Sequence, residues 1–77
     1  MNGKKRERLR QAIDYLNQSL LICTSVYEDE QDALDNCPEN LNSSEQYEKM
    51  EKVIDFLDDA ISSIESAAEN INEAITA

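Results

Sequence analysis

The chain has 77 residues, with one Gly, one Pro and no His, and its net charge at neutral pH is −10. A chain of this length forms one small domain with a marginal core, and the scarcity of Gly and Pro is typical of long helices with a single break. The excess of acidic side chains argues against direct binding to nucleic acid or docking on an anionic membrane, since both depend on Lys and Arg.

The first predicted helix runs from about residue 4 to residue 35. Its apolar side chains recur at alternating spacings of four and three residues, which is the heptad pattern of a helix that packs along one side. We call this row the first seam, and its members are Leu9, Ile13, Leu16, Leu20, Cys23, Tyr27, Glu30 and Leu34. Glu30 is its one charged member.

The charge is unevenly distributed along the chain. Residues 1–10 carry five basic side chains and one acidic, a net of +4, and residues 11–77 carry 16 acidic and two basic, a net of −14. In an antiparallel hairpin, the start of the first helix lies beside the end of the second. We therefore expect the basic segment 4–10 to face Glu65, Glu69 and Glu73. Each such exposed pair contributes about 0–1 kcal/mol, so the pairs would set alignment more than stability.

A break at residues 36–42 separates the two helices. Pro38 disfavours a helical conformation at Cys37 and provides no backbone N–H for the preceding turn. The second helix is predicted over residues 43–76, starting at Ser43 or Ser44, and Ser43 with Gln46 fits a capping box. Its apolar row is an unbroken heptad pattern. This second seam consists of Tyr47, Met50, Ile54, Leu57, Ile61, Ile64, Ala68, Ile71 and Ile75.

Two amphipathic helices joined by a short connection predict an all-α fold, an antiparallel two-helix hairpin that resembles a coiled coil and forms one domain over residues 1–77. A row of mostly small residues beside each seam predicts a close approach of the helices. These rows are Ala12, Ser19, Val26 and Ala33 in the first helix, and Val53, Ala60, Ala67 and Ala74 in the second. In the alternative arrangement, the chain opens into two long helices that swap between subunits.

Several large apolar residues lie away from the seams, namely Tyr15, Ile22 and Val26 in the first helix and Phe56 in the second. A hairpin that exposed all four would tend to associate. We expect these residues to form an interface in a homodimer, in which two hairpins make a four-helix bundle. The competing interpretation is a monomer whose apolar surface binds a different protein, for example a partner helix.

Acidic residues recur on the exposed sides of both helices, and residues 11–48 contain no basic residue. Carboxylates fixed on a rigid rod resemble an array of phosphates, so they could occupy the basic groove of a protein that handles nucleic acid. The plainer interpretation is that the acidic side chains only keep the protein soluble. The candidate partner surface consists of Glu28, Asp29, Asp32, Asp35, Glu48, Glu51, Asp55, Asp58 and Asp59.

The sequence offers little for chemistry, so we expect no enzyme, no catalytic residue, no cofactor and no metal site. It has no Gly-rich phosphate loop and no nucleophile with a base at a recognisable spacing. The acidic run 28–32 lacks the central Gly of a calcium loop, and di-iron bundles need a Glu-x-x-His motif. Cys23 is expected to be a small core residue and Cys37 a thiol of the connection. Unpaired thiols, no export signal and no apolar run of membrane-spanning length favour a cytoplasmic location.

About half of the chain carries a recognisable pattern, with PENL at 38–41, SEQYEKME at 44–51, IDFLDDAI at 54–61 and SIE at 63–65. This pattern resembles small, mostly uncharacterised acidic helical-hairpin proteins encoded in phages and integrative elements of Gram-positive and gut bacteria. The resemblance implies an accessory protein of a mobile element that binds another protein. It carries over no functional residues.

Overall fold

A computed structural model describes residues 1–38 and 44–77 and shows two α-helices, α1 over Gly3–Asp35 and α2 over Glu45–Thr76. The helices pack side by side, and together they form a rod whose principal extents are 59 × 15 × 13 Å. This confirms the all-α two-helix hairpin within one chain. The helix ends agree with the predicted bounds to within two residues, while residues 39–42 of the predicted connection lie outside the described part.

Both ends of α1 are capped by asparagine side chains. At the start, Oδ1 of Asn2 accepts a hydrogen bond of 2.9 Å from the backbone N–H of Lys5. At the end, Nδ2 of Asn36 donates to the carbonyl of Asp32 at 2.8 Å, and the Asn36 backbone N–H donates to the same carbonyl at 3.0 Å. These bonds satisfy backbone groups that have no partner within the helix, so α1 is bounded by its own sequence.

The start of α2 is capped by Ser44, whose Oγ accepts a hydrogen bond of 3.1 Å from the backbone N–H of Tyr47. Glu45 and Glu48 in the first turn complement the positive end of the helix dipole. The predicted capping box depends on Ser43, which lies outside the described residues. The cap that the structure shows belongs to the next serine along the chain.

The two seams form the contact between α1 and α2. Every residue of both seams is at least partly shielded from solvent, including Glu30. Ile54 and Ile75 of the second seam are the most shielded, with exposed fractions of 7% and 8%. The heptad pattern therefore keeps its register along the whole rod. Since each helix has one neighbour, shielding is confined to one side of it.

The rows of small residues contribute less to this contact than predicted. Ala12, Ala60 and Ala67 are partly shielded, but the other five members are exposed: Ser19, Val26, Ala33, Val53 and Ala74. A residue next to a seam is shielded from solvent only where side chains of the other helix extend over it. The rows therefore lie mostly on the outside of the hairpin.

The free ends of the two helices are joined by one long-range hydrogen bond. Nε of Arg6 donates to the carbonyl of Ile75 at 3.2 Å, and both residues are shielded. The carbonyls of the last helical turn lack intrahelical partners and carry partial negative charge, so a guanidinium is a suitable cap. The bond also sets the alignment, with the start of α1 beside the end of α2. In the described residues, neither helix is long and apolar enough to cross a membrane.

Candidate functional site

The heptad register divides the outside of the hairpin into two faces. When the seam residues are assigned to heptad positions a and d, positions c and g lie on one flank of each helix and positions b and e on the other. Antiparallel helices are related by an approximate two-fold axis perpendicular to the plane that contains them. This rotation exchanges the two helices but leaves each side of their common plane in place. The same heptad letter in α1 and α2 therefore lies on the same face of the hairpin. We call these the c/g face and the b/e face.

The c/g face is mostly apolar or small. In α1 its main members are Arg8, Ala12, Tyr15, Ser19, Ile22, Val26, Asp29 and Ala33. In α2 they are Lys49, Val53, Phe56, Ala60, Ser63, Ala67, Asn70 and Ala74. From residue 12 to residue 26 of α1, and from residue 53 to residue 74 of α2, no member is charged. This face is therefore a continuous uncharged strip along the middle of the rod.

All four residues of the predicted apolar interface lie on the c/g face and are exposed. The exposed fractions are 61% for Tyr15, 65% for Ile22, 41% for Val26 and 73% for Phe56. Since Arg6 lies beside Ile75, a step forward along α1 corresponds to a step back along α2. By that count Val26 and Phe56 lie at the same level. The structure thus places side chains that are thirty residues apart in sequence on one face and at one level of the rod.

Three further large apolar side chains are exposed that were not predicted as interface residues. Val53 is 44% exposed on the c/g face, Leu21 is 73% exposed on the b/e face, and Met1, which precedes α1, is 56% exposed. Val53 precedes Phe56 by three residues and Ala60 by seven, so it continues a second heptad row. That spacing was the available signal. Leu21 belongs to no such row.

The b/e face is acidic. It carries ten carboxylates and one basic residue, Arg10, whose guanidinium lies 3.7 Å from a carboxylate oxygen of Glu7. The carboxylates are those of Glu7, Asp14, Glu28, Asp35, Glu48, Glu51, Asp55, Asp58, Glu65 and Glu69. All ten are exposed. One side of the rod therefore holds most of the negative charge of the chain.

The predicted acidic partner surface is only partly a single surface. Six of its nine residues share the b/e face, in the half of the rod near the connection: Glu28, Asp35, Glu48, Glu51, Asp55 and Asp58. Asp32 and Asp59 occupy position f, at the outer edges of α1 and α2. Asp29 lies on the c/g face. The nine residues are exposed, but helix geometry points three of them elsewhere.

The predicted ion pairs between the start of α1 and the end of α2 are not formed. Within residues 1–38 and 44–77, the one ion pair shorter than 4.0 Å is the Glu7–Arg10 pair within α1. Lys5 and Arg8 lie on the c/g face, whereas Glu65 and Glu69 lie on the b/e face. Arg10 shares the b/e face with these two residues, but it pairs with Glu7. Arg6 instead bonds to a backbone carbonyl, so alignment at this end depends on the Arg6–Ile75 bond.

Metal-binding groups, clefts and thiols are the other features of the described residues that bear on chemistry. No group of three or more His, Cys, Asp or Glu side chains there is placed to hold a metal ion. A cleft of about 250 Å³ lies beside the helix connection, bordered by Cys37, Pro38, Tyr47 and Met50 among others. Cys23 and Cys37 are both unpaired and half-buried. The most extended features of the described surface are the mostly uncharged c/g face and the acidic b/e face.

The chain was compared with protein-family models, with curated proteins and with solved structures, and no match was found in any of the three.

Proposed function

We propose that the protein is a non-enzymatic interaction module that binds a basic surface of another protein through its b/e face. The observation that carries this proposal is the segregation of charge, with ten carboxylates and one arginine on one side of the rod. Acidic residues needed only for solubility could be spread over both faces. Here the opposite face is uncharged along its middle.

The density of the carboxylates indicates which partner chemistry fits. The ten carboxylates, four on α1 and six on α2, lie between the levels of Glu7 and Asp35. That length is 28 residues, or about 42 Å at 1.5 Å per residue, so successive charges are on average ~5 Å apart along the rod. Phosphates follow each other at about 3.4 Å along the axis in one strand of duplex DNA, and at about 1.7 Å when both strands are counted. The b/e face therefore approximates one strand. A basic groove that binds nucleic acid is the partner surface it suits best.

The resemblance of residues 38–65 to acidic hairpin proteins of phages and integrative elements supports a setting for this activity. We propose an accessory protein of a mobile element that binds a host or element protein, as an inhibitor or nucleic-acid mimic. Two unpaired cysteines are consistent with a reducing, cytoplasmic setting. Electrostatic steering by the b/e face would speed the encounter with a basic partner.

The test compares two variants with the same loss of charge. In the first, Glu48→Gln, Glu51→Gln, Asp55→Asn and Asp58→Asn neutralise the b/e face. In the second, Asp32→Asn, Glu45→Gln, Asp59→Asn and Glu73→Gln neutralise the position-f edges. The immobilised proteins are incubated with lysate of a Gram-positive bacterium, and captured proteins are eluted with increasing salt or with a DNA oligonucleotide.

We expect the wild type and the variant with neutral position-f edges to capture proteins that salt and DNA displace. The variant with a neutral b/e face should capture at least tenfold less of these proteins. Equal capture by both variants would show that only overall charge matters. Capture that resists both salt and DNA would contradict the proposal, since binding between opposite charges is screened.

The exposed side chains of the c/g face favour a second function, assembly through apolar contact. Tyr15, Ile22 and Val26 form a row on one side of α1 that α2 leaves uncovered. As a structural module, the protein would dock this row against another helix. Changing both Ile22 and Val26 to Asp should abolish such docking without neutralising the b/e face. Binding that survives this double change would rule out the apolar row as the docking surface.

A further inference from the structure

We propose that the c/g face binds the c/g face of a second copy of this chain, with the connections of both hairpins at the same end of a four-helix bundle. The exposure of the apolar side chains on this face motivates the proposal, and three observations select the occupant and the orientation. They are the distribution of charge, the area of the face and the match between its two rows of side chains.

Charge leaves one face on which two copies can meet. Each chain carries a net charge of −10, so two copies repel each other in most orientations. The c/g face is the exception, because its charged members are three basic residues, Lys5, Arg8 and Lys49, against one acidic residue, Asp29. Contact through this face keeps both b/e faces pointing outward, where water screens their charge.

The area of the face is sufficient for a stable contact. From Ala12 to Ala33 it extends over 21 residues, or about 32 Å, and two helices of about 10 Å diameter make it ~20 Å wide. That is roughly 600 Å² on each copy and 1,200 Å² in total, which is the lower limit for specific, stable interfaces. The middle of its α2 row consists of the small residues Ala60, Ser63 and Ala67, so that part of the strip offers no bulky side chain against pairing.

The two rows complement each other in size, and this selects the orientation. At matching levels, Tyr15 and Ile22 of α1 stand beside Ala67 and Ala60 of α2. When the two connections lie at the same end, α1 of one copy covers α2 of the other, so Tyr15 and Ile22 each meet an alanine. The opposite orientation places α1 of one copy against α1 of the other, so that large side chains meet large ones. It also leaves a gap between the two α2 rows, where van der Waals contacts are lost.

Charged residues near the connection agree with this orientation. Along the rod, the level of Asp29 is about 6 Å from the level of Lys49. With both connections at one end, Asp29 of each copy faces the Lys49 region of the other. In this bundle Val26 also meets Phe56 of the second copy, an aliphatic–aromatic contact that covers the most exposed large apolar side chain of the face.

Sedimentation equilibrium of the full chain tests the interface. We expect the wild type to have twice the 8.8 kDa mass of one chain. Ile22→Asp should raise the dissociation constant at least 100-fold, while the matched control Leu21→Asp, at a similarly exposed neighbour on the b/e face, should remain a dimer. Helix content from circular dichroism confirms that both variants fold, as expected for residues 65% and 73% exposed.

A wild-type protein that is monomeric up to about 100 μM would overturn the proposal, as would equal dissociation of the two variants. A monomer that binds a foreign helical peptide through Ile22 would show that the occupant is another protein. None of these outcomes depends on the acidic b/e face, so they are separable from the proposed charge-led function.

Cysteine cross-linking tests the orientation in a Cys23→Ala, Cys37→Ser background. Ser19 of one copy lies opposite Ser63 of the other when the connections share an end. A mixture of Ser19→Cys and Ser63→Cys proteins should therefore form a mixed disulfide, and neither variant alone should cross-link. Efficient cross-linking by Ser19→Cys alone would show that the connections lie at opposite ends. If neither the mixture nor the single variants cross-link, the c/g face is not the interface.

Discussion

Ile54 and Phe56 form a matched pair for testing the packing of the hairpin. They are two residues apart on α2, yet Ile54 is 7% exposed in the seam and Phe56 is 73% exposed on the c/g face. Ile54→Ala removes three carbon groups. At ~0.8 kcal/mol for each buried group, and with 93% of the side chain shielded, the transfer term is about 2.2 kcal/mol, before any cavity cost.

This loss is large for so small a protein. At ~0.05–0.15 kcal/mol per residue, a 77-residue chain has a free energy of unfolding of about 4–12 kcal/mol. The variant therefore loses between a fifth and a half of it. For a domain of this size, each kcal/mol lowers Tm by ~4–8 °C, so we expect Tm to fall by about 9–18 °C.

The assay is thermal and urea unfolding followed by far-ultraviolet circular dichroism, at low micromolar protein. Phe56→Ala serves as the control and should lose less than ~0.5 kcal/mol under these conditions, because its side chain is largely in water within one hairpin. A larger loss from Phe56→Ala than from Ile54→Ala in dilute solution would refute the assignment of the seam. A loss from Phe56→Ala that grows with protein concentration would instead report the second copy.

Three further changes test individual contacts. Ser44→Ala removes the cap of α2 and should lower the free energy of unfolding by about 1 kcal/mol, measured by urea titration. Arg6→Ala removes the hydrogen bond to the Ile75 carbonyl, so hydrogen exchange of the last turn of α2 should accelerate several-fold while exchange near Ile54 stays unchanged. Glu30→Leu replaces the one charged seam residue and should raise the free energy of unfolding by about 1 kcal/mol, seen as a higher Tm.

The seams could be predicted from sequence because their signal is a long periodic one. Eight positions in α1 and nine in α2 follow the 3–4 spacing, and one charged exception does not disturb such a pattern. All of them are shielded in the structure. The helix ends near residues 35 and 76 followed from the same periodicity and from Pro38.

Contacts that depend on a single side chain were harder to predict. Ser43 and Ser44 are chemically equivalent as caps, so only the local backbone decides between them. The pairing of the basic segment with acidic residues assumed that proximity along the rod is enough. In the structure Lys5 and Glu65 lie on different faces, and by the level of the Arg6–Ile75 bond they are also about 16 Å apart along the rod.

The two faces illustrate a different limit of sequence analysis. The sequence shows the off-seam apolar residues and the rows of small residues as two separate features, because neither group differs strongly in polarity from the residues beside it on its own helix. Only the antiparallel pairing places Tyr15, Ile22 and Phe56 on one side with Ala60 and Ala67. The division into an uncharged face and an acidic one is therefore a property of the pair of helices, and neither helix alone shows it fully.

The elongated shape of the hairpin has a practical consequence for determining its mass. Its radius of gyration is 17.4 Å, whereas a compact domain of 77 residues has one of about 11–12 Å. A compact protein would need roughly 230 residues, about three times this chain, to reach the same value. Elution from a sizing column calibrated with compact standards will therefore overestimate the mass of a single hairpin. Light scattering or sedimentation equilibrium, which report mass independently of shape, distinguish one rod from two.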